Sequence, residues 1–301
     1  MLNSLHPLVV GAHTLEWGSR TYVMGILNVT PDSFSGDGLL ISGDPLHVSM
    51  ETARRFVEAG ATILDVGGES TRPGSEPVAA GEERRRVLPV IKALAREFPQ
   101  ALISVDTYKA AVAGEALEAG AHIVNDVWAL RADPQLRRVV AQAGCPVILM
   151  HNRSNPASVE VRAQLGNAYT GAEYTDLIED VRRELMGSVE LARQAGIPDE
   201  RIILDPGVGF GKKVGHNLEL IDRLGEIRLL GFPVLIGPSR KSFIGYTLDL
   251  PPDQRLEGTA AAVAVSIVRG ADIVRVHDVP SMMRLVRMTD AIVRPAARGA
   301  Q

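Results

Sequence analysis

YVMGILNV, residues 22–29, is the stretch on which the fold turns. It is apolar almost throughout, without the alternation of a half-exposed strand, as a strand buried on both faces requires. It stops on an amide, Asn28, and opens into a polar, glycine-rich segment, TPDSFSGDG (30–38). Seven more runs have the same character: TILDVG (62–67), LISVDT (102–107), HIVNDV (122–127), PVILMH (146–151), RIILDPG (201–207), PVLIG (233–237) and DIVRVHD (272–278).

Between the runs lie stretches with helical spacing, at 46–60, 79–98, 109–119, 134–143, 174–195, 215–229, 255–269 and 280–293. Several end in a glycine placed as a helix C′ residue, at Gly60, Gly120, Gly144, Gly196, Gly231 and Gly270. In 79–98, Val87, Val90, Ile91, Leu94 and Phe98 mark the apolar face, and a kink is expected at Pro89. Glu82, Glu83 and Arg84–Arg86 read as its solvated face. Eight βα units predict an α/β fold, a single (β/α)8 TIM barrel over residues 21–295. Residues 1–20 form an N-terminal extension that could hold a short hairpin. A doubly wound open sheet is the alternative. Such sheets seldom hold eight parallel strands, and no dinucleotide fingerprint follows the first run.

Composition narrows the function. Of 301 residues, 46% are hydrophobic and the formal net charge is −4, so a large core is available and nothing points to a nucleic-acid partner. A single cysteine, Cys145, rules out an intramolecular disulfide and suits a reducing compartment. Neither a signal-peptide pattern nor an apolar run of membrane-spanning length is found, so a soluble, cytoplasmic protein is expected.

In a barrel the C-terminal strand ends converge on one mouth. Here they carry Asn28, Asp65, Asp106, Asn125 and Asp126, Met150 and His151, Asp205, the GPSRKSF segment (237–243), and Arg275 with His277. Capping roles explain one or two such polar residues, not a full ring. Asp106, Asn125 and Asp205 suit a heterocycle with ring N–H and amide groups, since carboxylates accept and an amide does both. Arg72, Arg240, Lys241, Arg275 and His277 suit a phosphate or diphosphate. Asn28 and Asp32 could bring Mg²⁺ to it, because that ion prefers oxygen ligands.

Together, GILNVTPDSFSGDG (25–38), DVGGESTRPGSEPV (65–78), ISVDT (103–107), IVNDV (123–127), DPGVGFGK (205–212), GPSRKSFIG (237–245) and RVHDV (275–279) resemble the motif series of the dihydropteroate synthases. The likeness spans about residues 20–290, and it is most specific in the first two motifs and SRKSF. It implies a barrel, commonly a homodimer, that condenses 4-aminobenzoate with 6-hydroxymethyl-7,8-dihydropterin diphosphate, with Mg²⁺. It implies that Asp106, Asn125, Asp205 and Lys241 hold the pterin, with Met150 and Phe210 as wall. Asn28, Arg275 and His277 would hold diphosphate, Asn28 through the metal, with Thr71 and Arg72 on a second loop beside it. Phe34, Ser239 and Lys241 would border aminobenzoate. The catalytic set would be Asp106, Lys241, Asp32 and Arg72, with Asp106 stabilising a pterin cation.

The chain departs from the family at Ser35-Gly36-Asp37-Gly38, where SFSDGG is commoner, so Asp37 is given no role. DPGVGFGKK (205–213) does not have the spacing of a nucleotide P-loop and reads as a tight backbone turn. The connection 152–173 is too long for an idle loop and is assigned no chemistry. Two rival functions share the barrel: a methyltetrahydrofolate-binding methyltransferase domain, which has no use for the cationic flank, and a catalytically silent pterin-binding paralogue.

Overall fold

The computed structural model describes residues 5–30, 44–70, 75–155, 159–162 and 165–294. Asp32, Phe34, Thr71 and Arg72 lie outside them. Twelve strands and ten helices are formed among the described residues. Eight of the strands are parallel and make one sheet: β3 (Tyr22–Asn28), β4 (Ile63–Gly67), β5 (Leu102–Asp106), β6 (Ile123–Asp126), β7 (Val147–Met150), β10 (Ile202–Asp205), β11 (Leu235–Ile236) and β12 (Ile273–Val276). Their order, β10-β7-β6-β5-β4-β3-β12-β11, follows the chain around a ring, and a single bridge from Leu204 to Val234 joins its ends. This is the (β/α)8 barrel of the sequence reading.

Successive strand residues face opposite ways, so each apolar run feeds two cores. Val23, Leu64, Ile103, Val124 and Leu204 pack outward among the helices. Met24, Ile63, Leu102, Ile123, Ile148, Ile203, Leu235 and Ile273 point inward and form an aliphatic layer. The same layer holds Leu8, Val10 and Leu15 from a hairpin of β1 (Leu8–Val10) and β2 (His13–Leu15), which seals the barrel floor. The inner layers above are polar, and they open toward the mouth.

The helices are α1 (Pro45–Ala59), α2 (Ala80–Glu97), α3 (Ala110–Glu118), α4 (Pro134–Ala143), α5 (Leu177–Gln194), α6 (Val214–Asp222), α7 (Leu224–Arg228), α8 (Ser242–Leu248), α9 (Leu256–Val268) and α10 (Val279–Val293). Several local expectations need correcting. The stretch 215–229 is two helices, because Arg223 leaves helical geometry at φ −99°, ψ 18°. The position of the expected kink, Pro89, lies inside one continuous helix, α2. Its Glu83 is not on a solvated face: it is 1% exposed and ion-paired with Lys109, which also pairs with Glu69. The segment 152–173 contains an antiparallel hairpin, β8 (Val159–Arg162) and β9 (Gly166–Tyr169).

Candidate active site

The inward positions of the strands place the site residue by residue. One layer above the aliphatic floor come Asp65, Ser104, Asn125, Met150, Asp205 and Arg275; Asn28, Asp106 and His277 stand at the rim. Arg275 crosses this space. Its Nε donates to Asp65 Oδ2 at 2.6 Å and its Nη2 to Asp106 Oδ2 at 2.7 Å. Its Nη1 makes no hydrogen bond among the described residues. The amide of Asn125 donates to the same Asp65 oxygen at 3.2 Å. One guanidinium thus holds two carboxylates from neighbouring strands, as a planar donor fork can. Asp65 was read only as a strand end; it is fully buried and is the centre of this network. Its alternation with Gly67, facing Asp106 across the register, was the signal available in the sequence. Asp65 Oδ1 and Ser104 Oγ are buried with no hydrogen-bond partner among the described residues, so the layer keeps polar capacity that these residues do not use.

Charge and burial work against each other here. Burial pushes the Asp106 carboxyl up to about 7; Arg275 pulls it down and Asp65 pushes it further up. Burial lowers the Lys241 ammonium to about 8, with Asp205 opposing and Arg275 adding to the shift. Lys241 Nζ donates to Val208 O and stands 4.3 Å from the Phe210 ring centre. Asp205 Oδ1 accepts from Gly207 N at 2.7 Å. Met150, Phe210 and Val127 form an apolar cluster bordered by Tyr108 and Trp128. The last two were not singled out from the sequence, where they fall just past the apolar runs that end at 107 and 127. A flat, apolar wall therefore stands beside carboxylates, an amide and two cations.

On the other flank, His277 Nδ1 lies 3.0 Å from Ser239 Oγ, and the His277 amide donates to that oxygen at 3.2 Å. Arg240 is a correction: its guanidinium is ion-paired with Asp278 and is not a free member of the cationic flank. Asn28 is half-buried, and its side chain makes no hydrogen bond among the described residues. Asp126 faces away from the barrel interior, since it caps the turn at Trp128 N (2.8 Å) and Leu130 N (2.6 Å).

DPGVGFGKK forms the expected tight turn. Lys212 is 3% exposed and bends its ammonium into its own loop, donating to Gly207 O at 2.9 Å and Phe210 O at 3.1 Å. It also meets His151 Nδ1 at 2.9 Å, and His151 Nε2 lies 3.1 Å from Glu184. Burial, then Lys212, pushes His151 down to about 4, so this buried imidazole is neutral and holds the loop. Gly207 has φ +70°, and a Cβ there would lie 1.8 Å from His151 O; the turn admits only glycine.

Comparison with known proteins places the chain in a family. Residues 24–277 match a family profile described as pterin binding enzyme. A dihydropteroate synthase of Clostridium beijerinckii is 45% identical over 286 residues, spanning 95% of this chain and 99% of its own. A solved dihydropteroate synthase from Clostridium difficile, determined in the presence of pteroic acid, superposes with a TM-score of 0.83 at 46% identity, covering 93% of this chain and 99% of its own. The Xanthomonas albilineans enzyme with 4-aminobenzoic acid gives a TM-score of 0.82 at 39% identity, covering 93% and 94%.

Proposed function

The chain belongs to the dihydropteroate synthase family, and from that premise we propose that its barrel mouth joins 4-aminobenzoate to (7,8-dihydropterin-6-yl)methyl diphosphate, giving 7,8-dihydropteroate and diphosphate. The observation that carries the reading is the Arg275 bridge between Asp65 and Asp106, set beside Asn125, Asp205 and the Lys241–Phe210 pair. It combines acceptors for the ring N–H groups of a pterin with an apolar surface for its face.

The pterin lies against the wall that Met150 and Phe210 form, with Asp106, Asn125 and Asp205 accepting from its N–H groups and Lys241 donating to it. The leaving group is diphosphate at an exocyclic CH₂, so positioning and charge stabilisation supply most of the catalysis. The Asp106 carboxylate stabilises positive charge that builds on the pterin as the C–O bond lengthens. Arg275, through its unused Nη1, and His277 face the diphosphate, with Thr71 and Arg72 joining from their loop. Ser239, Lys241 and Phe34 border the arylamine, which is neutral and needs little activation. Asp32 and Arg72 complete the catalytic set.

Asn28 fits a Mg²⁺ site: it offers an oxygen at the rim, and no described side chain engages its amide. Among the described residues no cluster of His, Cys, Asp and Glu could hold a metal alone, which suits an ion ligated mainly by diphosphate and water, with Asp32 as a second protein oxygen. When bound, the ion would neutralise charge on the leaving diphosphate.

A homodimer is proposed on the apolar surface of two adjacent helices, Val265 and Val268 on α9 and Met288 and Ile292 on α10. A cytoplasmic location is proposed on the single buried, unpaired thiol of Cys145. No helix of the described residues is long and apolar enough to cross a membrane. Mixing the protein with pterin diphosphate, 4-aminobenzoate and Mg²⁺ tests the activity: dihydropteroate and diphosphate should appear in equal amounts. Pterin binding without diphosphate release would sink the reading.

A further inference from the structure

One buried guanidinium ties the β8–β9 hairpin to the barrel. Arg255 is 2% exposed and stands at the N-terminus of α9. Each of its three nitrogens donates to a different backbone carbonyl: Nε to Leu250 O at 3.1 Å, Nη1 to Arg240 O at 2.9 Å and Nη2 to Leu165 O at 2.8 Å. Among the described residues it has no carboxylate partner. A buried charge without a counter-ion is costly unless its donors are met in fixed geometry. Burial accordingly lowers its pKa, with Tyr246 and Asp253 opposing.

The surroundings are shaped to keep the guanidinium in place. A Cβ on Gly245 would lie 2.1 Å from Nη2, so a side chain there would displace the guanidinium. The three carbonyls belong to three segments: the end of the α8 turn, the tip of the hairpin, and the turn that carries Ser239, Arg240 and Lys241. That turn is unusual. Arg240 sits in the left-handed region at φ +56°, which a non-glycine residue holds only under constraint. Its amide donates to Thr259 Oγ1 at 3.0 Å, while its carbonyl is taken by Arg255. Helix α9 thus grips both sides of one strained residue, flanked directly by Ser239 and Lys241. A second tie, Tyr246 hydroxyl to Gly166 O at 3.2 Å, fastens the hairpin to α8.

We infer that Arg255 is a positioning residue: it locks the Ser239–Lys241 turn and ties the β8–β9 hairpin to it, so that the hairpin braces the aminobenzoate edge of the site. The inference rests on the proposed function for what that edge binds. It gives the long connection after β7 a task, and it predicts that the two segments loosen together.

Arg255→Lys and Tyr246→Phe are compared with the wild-type enzyme by steady-state kinetics and by backbone amide exchange. Lysine keeps the charge but cannot reach three carbonyls with a planar fork. The expected result is an aminobenzoate KM raised about tenfold by R255K and about threefold by Y246F, with the pterin diphosphate KM within roughly twofold. Amide exchange should rise both at 239–241 and at 165–169. If exchange rises in only one of these segments, or the two KM values move together, or neither variant changes either readout, the brace is overturned. Y246F carries the test if R255K does not fold. Exchange is read without turnover, so coupled loosening in a protein that makes no dihydropteroate would defeat the functional reading and uphold the brace.

Discussion

Asp106 is held between opposing influences, and that balance yields two predictions at the residue scale. With its carboxyl raised to about 7 in the folded protein, folding takes up a proton between the ordinary carboxylate range and neutrality. The stability it contributes is therefore full in acid and is lost as pH rises through about 7. Asp106→Asn removes this loss. Its melting midpoint at pH 8 should be at least as high as wild type, while turnover falls by roughly a hundredfold or more because the charge facing the pterin cation is gone. Near-normal turnover would defeat the role. The same shifts set the pH profile. Asp106 ionises as pH rises through about 7 and Lys241 loses its proton near 8, so kcat/KM should climb through the first and fall beyond the second. Lys241→Arg, which stays charged, should remove the alkaline limb alone. At this scale the sequence was partly legible. Asn125 was separable from Asp126 because strand alternation sends one inward. Asp65 was not singled out, because a strand-end aspartate looks alike as a cap or as a network centre; the hydrogen bond from Arg275 across the barrel distinguishes them.

Elements were legible where they were long and periodic. The strands and the long helices end close to where glycines and apolar spacing place them. Helix α8, seven residues long, and the hairpin, with strands of four, are too short for either period to register. The break at Arg223 was hidden because α6 and α7 continue one apolar pattern on either side of it. Local capping still reads out energetically. Asp176 caps α5 by accepting from Ile178 N and Glu179 N, both at 3.1 Å. Asp176→Ala should cost about 1 kcal/mol in chemical denaturation and leave both KM values unchanged, because the hydrogen bond that links α5 toward the site joins Glu184 and His151, about two turns away from the cap.

For the whole molecule, the barrel follows from eight near-identical apolar runs, whereas assembly depends on surfaces that no periodicity reports. Val268, 57% exposed on α9, sits on the apolar face assigned to the dimer. Val268→Asp should halve the sedimenting mass of the wild-type particle without changing the melting cooperativity of the subunit. A wild type that already sediments as a monomer would end the dimer proposal. The closure of the ring has its own consequence. Strands β3 and β4 share five register pairs, but β10 is joined to the β11 segment by a single bridge, from Leu204 to Val234 just before β11. The ring therefore has a seam, and Asp205 and Lys241 stand on its opposite banks. Breathing of the native barrel is cheapest there, and it would draw apart two groups that the pterin must touch at once. A bound pterin then serves as the rungs the seam lacks. Among the barrel amides, that of Leu204, which donates across the gap to Pro233 O at 2.9 Å, should gain the most exchange protection when pterin is added.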